Sequence, residues 1–322
     1  MPFTLPDHVD VSPKTLQEIA ERHGLGGVCI ERLPETGIFN AIYRLGDGTI
    51  LRIPRNHPTF IQAARNEAVA VPAAVAAGVR TPHLLAFDDS LDLLPVPYTV
   101  YERVPGRPLE ALNLDPADAA EVWREHGRNL ALAHLGVPVA GGIATLPVKR
   151  PDPDPCGLLA ERVAEGWLSP LDARWLADWL DRLAPAALAP TPTRFLHGDT
   201  QATNLMVTPG PLRYQAVIDW GSAAVGDVAL DFAGLPLRAV PSMLAGHREA
   251  TPLDGDATAE ARILWRHLQL AIWTLPRGAS PGLSWAERPL PMLLEVLRFF
   301  LEPPDDRWHA LGPVKGGQHV EA

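Results

Sequence analysis

The sequence predicts an α+β fold in two lobes, a small N-terminal antiparallel sheet with one helix and a larger, mainly helical C-terminal part. Two observations predict it. Strand-like runs crowd the first third of the chain around a Gly-Asp-Gly turn, and beyond a Pro/Gly-punctuated segment at 104–108 the apolar spacing is helical except for one hairpin. The 322 residues allow two domains or one bilobal unit, divided at 1–103 and 104–322 with a hinge about 102–108.

Residues 27–33, 41–45 and 49–53 alternate or are β-branched enough to read as three strands. Gly46-Asp47-Gly48 joins the last two, and its tolerance of positive φ predicts an antiparallel hairpin. The Ala-rich stretch 59–77 reads as a helix that Pro72 should kink or split. Runs 84–87 and 98–103 then complete a five-stranded sheet. Helices follow at 115–135, with an Asp cap and Pro at its first position, and at 158–168, 171–183 and 258–275. Between them, 151–155 reads as a rigid Pro-Asp connector, and 205–207 and 215–219 as the strands of a hairpin turning at 208–212.

Composition narrows the function. Apolar residues make up 47% and charged residues 20%, which suits a folded globular chain, and 34 prolines imply stiff loops. The net charge of −10, with no dense Lys/Arg stretch, argues against a nucleic-acid partner. No continuous apolar run reaches the ~18 residues of a membrane span. The N-terminus has no leader pattern and the chain carries two cysteines, so a cytoplasmic location is expected. Nothing in the sequence bears on oligomeric state.

The chemistry concentrates at the hairpin. His197-Gly198-Asp199-Thr200-Gln201-Ala202-Thr203-Asn204 precedes it and Asp219-Trp220-Gly221 closes it. Because the chain doubles back, Asn204 and Asp219 should stand side by side and form a hard-oxygen pair suited to Mg²⁺, with Asp199 facing a reacting hydroxyl. The plain alternative makes Asp199 a turn residue and Asn204 a cap.

These residues resemble the aminoglycoside phosphotransferase family, relatives of protein kinases that phosphorylate small-molecule hydroxyls. HGDTQATN and the later VIDWGSAAVGDVALDFA carry the likeness. The N-terminal strands, the phrase YERVPGRPL and the helix ending in LAHL extend it over roughly residues 20–235. The resemblance implies a bilobal protein-kinase-like fold and transfer of a γ-phosphate from ATP or GTP with Mg²⁺. It implies Asp199 as catalytic base or hydroxyl-orienting residue and Asn204 with Asp219 as metal ligands. His197, Asp227 and Asp231 would support the loop; read from the residues alone, Asp227 is a helix N-cap.

On the nucleotide side the resemblance leads to a departure. The chain has three lysines, Lys14, Lys149 and Lys315, none of them in the third strand, and Arg52 stands where the phosphate-contacting lysine is expected, with Glu67 as its partner and Arg55 in reserve. The loop containing Gly37, Phe39 and Asn40 would cover the phosphates with one glycine in place of three. Glu102 and Val104 would run along the base edge and offer backbone groups. A nucleotide-binding pseudoenzyme is the alternative; a protein kinase is disfavoured because 222–226 is too short for an activation loop. The acidic balance leans towards a polycationic aminoglycoside acceptor, Leu51-Arg52-Ile53-Pro54-Arg55 resembles the macrolide-phosphorylating branch, and a metabolite hydroxyl is a third class. Trp265 and Trp273 are read as core residues that could instead line an acceptor groove.

Overall fold

The computed structural model describes residues 6–34, 39–150, 155–208, 210–279 and 283–313. Gly37 and most of the 151–155 connector lie outside them.

The chain enters through a helix that the strand-centred reading does not anticipate, α1 (Pro13–Arg22). Ser12 caps it by accepting from the Thr15 amide, and Pro13 presets its first turn. Then come β1 (Ile30–Arg32), β2 (Asn40–Leu45), β3 (Thr49–Pro54), α2 (Pro58–Ala76), β4 (Leu84–Asp88) and β5 (Tyr98–Glu102). The five strands form an antiparallel sheet in the order β1-β2-β3-β5-β4. The β2–β3 turn is the expected one, with Gly46 at φ +61°. Strand alternation sends Leu51 and Ile53 into a core shared with Ala41, Tyr43 and Val100, and leaves Ile50 and Arg52 on the opposite face.

Pro72 does not split α2. The residue is exposed, so the carbonyl left without its helical donor can be met by water, while Ala70, Val71 and Ala74 stay buried. The buried stripe packs with Phe195, Val217, Trp220 and Val225 in one apolar cluster. That cluster ties the helix of the small lobe to the base of the large one.

The larger lobe begins with β6 (Arg107–Pro108). It continues with α3 (Ala120–Gly136), β7 (Val148–Lys149), α4 (Pro155–Ala164), α5 (Pro170–Ala187) and β8 (Arg194–Leu196). The hairpin β9 (Leu205–Thr208) and β10 (Arg213–Val217) follows, then β11 (Ala224–Gly226), α6 (Val240–Ala250), α7 (Ala259–Thr274), α8 (Pro291–Phe299) and α9 (Asp306–Leu311). The expected start of a helix at residue 115 is a 3₁₀ turn, Pro116–Ala119, capped by Asp115. The hairpin is not the lobe's only β element: β6 adds to its edge, and β7-β11-β8 make a second small sheet. These strands are two or three residues long and pair across distant sequence, so no local period announces them.

Helices α3 and α6 touch backbone to backbone. A β-carbon on Gly127 would stand 1.8 Å from the Met243 carbonyl oxygen, and one on Gly246 would stand 1.9 Å from that of Arg124. Only glycine permits this approach. It brings His134 on α3 beside His247 on α6, with the main core of Trp123, Trp179, Trp265 and Trp308 nearby.

Candidate active site

The loop between β8 and β9 is built around Asp231. The His197 and Gly198 amides donate to its two carboxylate oxygens at 2.8 and 2.7 Å, and the Thr200 hydroxyl donates to its backbone carbonyl at 2.6 Å. His134 Nε2 lies 3.0 Å from the same carboxylate, and His134 Nδ1 lies 3.1 Å from His247 Nε2. Burial penalises the Asp231 charge, but these partners outweigh it and hold the carboxyl below its ordinary range. Gly198, at φ +82°, passes so close to Ser222 that a β-carbon would stand 2.1 Å from that carbonyl oxygen. His197 spans the loop as a neutral ring: Nε2–H donates to the Ile218 carbonyl at 3.1 Å, and Nδ1 accepts from the Asp199 amide at 3.2 Å. Burial keeps its pKa below the usual value.

Asp199 is held at both oxygens. Gln201 Nε2 donates to Oδ1 at 2.7 Å and Asn204 Nδ2 to Oδ2 at 3.1 Å. Burial raises the carboxyl above its ordinary pKa, helped by the nearby Asp219 charge and opposed by His197 and the two amide donors. Such a carboxylate is fixed in direction and more basic than a surface aspartate.

Across the hairpin, the Ile218 amide donates to the Asn204 carbonyl at 2.9 Å and sets the two strand ends side by side. Asp219 then takes φ +67°, a left-handed conformation uncommon for a residue with a side chain. Its Oδ2 meets Arg52 Nη2 at 3.0 Å, while Arg52 Nη1 reaches Glu67 Oε1 at 2.8 Å. Tyr101 hydroxyl donates to the other Glu67 oxygen, and its ring lies under the guanidinium, 5.8 Å from Arg52 Cζ. One guanidinium thus serves two carboxylates, the buried Glu67 and the part-exposed Asp219, and their pKa values diverge. Burial pushes Glu67 up to about 7 against the pull of Arg52. Asp219 stays below its ordinary value because Arg52 outweighs the burial cost. Burial lowers the Arg52 pKa, but Asp219 and Glu67 more than reverse this.

Asp199, Asn204, Asp219 and Arg52 all line one cavity of about 1350 Å³, larger than the ~300–1000 Å³ of a typical single-ligand pocket. Phe39, Glu102 and Val104 line it too. Phe39 is 42% exposed and packs on Phe60 at a ring distance of 4.9 Å. Asn40, at the head of β2 opposite Pro54, is not among the wall residues, and Glu67 stands behind Arg52. Arg55 turns away, donating to the Pro6 carbonyl at 2.6 Å. Asp227 caps the 3₁₀ turn Val228–Phe232 through the Ala229 amide, 3.0 Å, and pairs with Arg262.

Among the described residues no group of three His, Cys, Asp or Glu side chains is placed to hold a metal ion. The expected ligand pair has a different composition, one amide and one carboxylate. It fits a hard cation: Asn204 spends its NH₂ on Asp199, which leaves its carbonyl oxygen for a cation, and Asp219 is charged. Three contributors are not apparent from the sequence reading. Gln201 lies inside the motif but looks like filler. Tyr101 sits in a plain strand alternation. Lys149 belongs to a two-residue strand, and its ammonium donates to the Gly198 carbonyl at 2.8 Å.

A five-stranded sheet with a buried arginine–glutamate pair, set against a helical lobe carrying a braced Asp/Asn/Asp hairpin, is the architecture of kinase-like phosphotransferases. A family model described as the phosphotransferase enzyme family, APH, matches residues 31–270, and the chain belongs to that family. Solved structures agree in fold. Macrolide 2'-phosphotransferase MphH from Brachybacterium faecium is 22% identical with a TM-score of 0.58, covering 91% of this chain and 99% of its own. The GDP complex of wild-type aminoglycoside 2'-phosphotransferase-IIIa is 19% identical with a TM-score of 0.58, over 81% and 91%. A choline/ethanolamine kinase family protein from Mesorhizobium loti is 19% identical with a TM-score of 0.52, over 92% and 90%.

Proposed function

We propose that this protein transfers the γ-phosphate of ATP or GTP, with Mg²⁺, to a hydroxyl of a small molecule. The observation that carries this reading is the Asp199 carboxylate, fixed at both oxygens and sharing one cavity with the Arg52–Asp219 pair. Phosphoryl transfer asks the protein for alignment and charge neutralisation, and this arrangement offers both. Residues 1–103 would form the nucleotide-holding lobe and 104–322 the lobe that presents the acceptor. In the hinge, the Glu102 and Arg103 amides are committed to the His83 and Gly48 carbonyls at 3.0 and 2.8 Å. The Val104 amide is therefore the donor we assign to the base edge.

Asp199 would orient the acceptor hydroxyl and take its proton as the oxygen attacks. The bond from the γ-phosphorus to the bridging oxygen breaks, and the nucleoside diphosphate leaves. Asn204 Oδ1 and Asp219 would hold Mg²⁺, which supplies charge neutralisation on the phosphates. Arg52, released in part from Asp219, would turn to phosphate oxygens while Glu67 and Tyr101 keep its position.

Replacing Asp199 with Asn tests this. Turnover measured as nucleoside diphosphate release should fall by about 10³-fold, with nucleotide affinity within about twofold of wild type. Retention of more than a tenth of the turnover would overturn the assignment.

A further inference from the structure

The cavity wall beyond Asp199 is formed by one face of α7 and the turn after it. Arg266, Leu270 and Trp273 recur at i, i+4 and i+7, and Arg277 continues the spacing to i+11, its amide bonded to the Thr274 carbonyl at 3.0 Å. All four side chains line the cavity. The Arg277 guanidinium lies over the Trp273 ring, 4.2 Å from its centroid. Trp273 is 50% exposed, whereas Trp265 is 2% exposed and belongs to the core, so of the two tryptophans only Trp273 lines the cavity.

The charge of this wall is opposite to that of the whole protein. Against a net charge of −10, the same wall carries Lys149, Arg150, Arg266, Arg277 and Arg288. Among the described residues two glutamates share this wall, both accepting from backbone, and Glu287 also acts on the Arg277 charge. Glu287 accepts from the Ser284 amide at 2.9 Å, and Glu110 from the Trp285 amide at 2.8 Å. Among the described residues neither Lys149 nor Arg277 forms a direct ion pair, although each lies partly out of water and feels a carboxylate nearby, Asp231 and Asp199 for Lys149 and Glu287 for Arg277. The Lys149 ammonium gives one hydrogen bond to Gly198 and has two more to give.

A polycationic acceptor would meet like charge here, and an anion would meet forked and point donors at low local dielectric. Net charge over the whole surface does not predict the sign inside a cleft. We propose that the acceptor is a hydroxylated oxyanion, a carboxylate or phosphate on a planar or apolar body. Trp273 and Leu270 take the body, and Lys149 and Arg277 take the acid. This departs from the aminoglycoside lean drawn from composition. The proposal rests on the phosphotransfer reading for the word acceptor, but the wall's selectivity is measurable without transfer.

The test titrates four matched probes into the protein loaded with Mg²⁺ and a non-hydrolysable nucleotide analogue. They are para-hydroxymethylbenzoate, para-hydroxymethylphenyl phosphate, the benzoate's methyl ester and para-hydroxymethylbenzylamine. One of the two anions should bind at least about tenfold more tightly than the amine, and the better of the two identifies the acid. Arg277→Gln, at a part-exposed position, should weaken that anion about fivefold to tenfold and leave the ester within about twofold; Lys149→Gln should act in the same direction. An amine bound as tightly as the anions, no anion binding at millimolar concentration, or equal losses for ester and anion would overturn the proposal. Nucleoside diphosphate release with the same probes is scored separately: anion selectivity without any transfer would refute the phosphotransfer reading and leave the oxyanion site standing.

Discussion

Arg52 holds two carboxylates with one side chain, and that shared bond is where residue-scale chemistry is most exposed to experiment. A lysine in its place keeps the charge but cannot fork. Arg52→Lys should keep kcat/KM for the nucleotide within about tenfold, and Arg52→Ala should lower it by about 100-fold or more. An alanine variant with undiminished kcat/KM would make the residue purely structural. Glu67 supplies a pH signature. Its folded pKa of about 7 lies above the ordinary 4.5, so the folded state holds a proton that the unfolded chain releases first. The associated stability is complete below about pH 4.5 and is lost as pH rises through about 7. Glu67→Gln should flatten that slope in thermal melts between about pH 4.5 and 8; an unchanged slope would assign it to another group. The placing of Asn204 beside the Asp219 end of the hairpin was readable from spacing, because the chain over 205–217 doubles back on itself, whereas Arg52 and Glu67 were reached only through the family resemblance. Tyr101 and Lys149 were not readable, since their partners come from other elements, and Gln201 was not because nothing in its local pattern shows that its amide turns back onto Asp199.

At the scale of elements, the close crossing of α3 and α6 braces the Asp199 loop from behind. Gly127 and Gly246 let the backbones meet, and the same two helices carry the His134 and His247 rings that reach Asp231. Gly246→Ala should cost several kcal/mol, about 3 or more, in urea denaturation, because a β-carbon would collide with backbone that cannot move alone. A variant of wild-type stability would mean that the helices separate freely. Pro72 gives the opposite sign. Replacing an exposed proline inside a continuous helix by Ala restores a backbone donor and should stabilise by about 1–3 kcal/mol, less whatever proline contributes by restricting the unfolded chain. The sequence left a split helix open there because it carries no record of which side of α2 faces water. Helices α6, α8 and α9 went unread for a related reason: each is short, and α6 and α8 begin on proline-containing turns and are held by packing more than by their own periodicity.

For the molecule as a whole, the strand-rich start and the mainly helical remainder were legible because composition and period change together near residue 104. The β7-β11-β8 sheet and the sign of charge inside the cavity were not, since both arise only when distant segments meet. The apolar cluster joining α2 to the base of the large lobe makes nucleotide binding a global event. Saturating nucleotide with Mg²⁺ should raise stability by about 2.7 kcal/mol at a hundredfold excess over Kd, seen as an upward shift in Tm. Asp219→Asn, which retains a residue tolerant of left-handed backbone, should abolish the part of the shift that depends on Mg²⁺ and keep the fold. An identical shift with and without metal in both proteins would place the cation elsewhere.

The α7 stripe has a practical reach. One flank of that helix is sealed in the core by Ile263, Leu264 and Leu268, and the other shows ligands a row of four side chains. On the acceptor reading proposed above, selectivity would be carried mainly along this one rod, with Lys149 adding a contact from beside Gly198. Re-lettering positions 266, 270, 273 and 277 offers a way to retarget the protein to new alcohols while leaving its engine untouched.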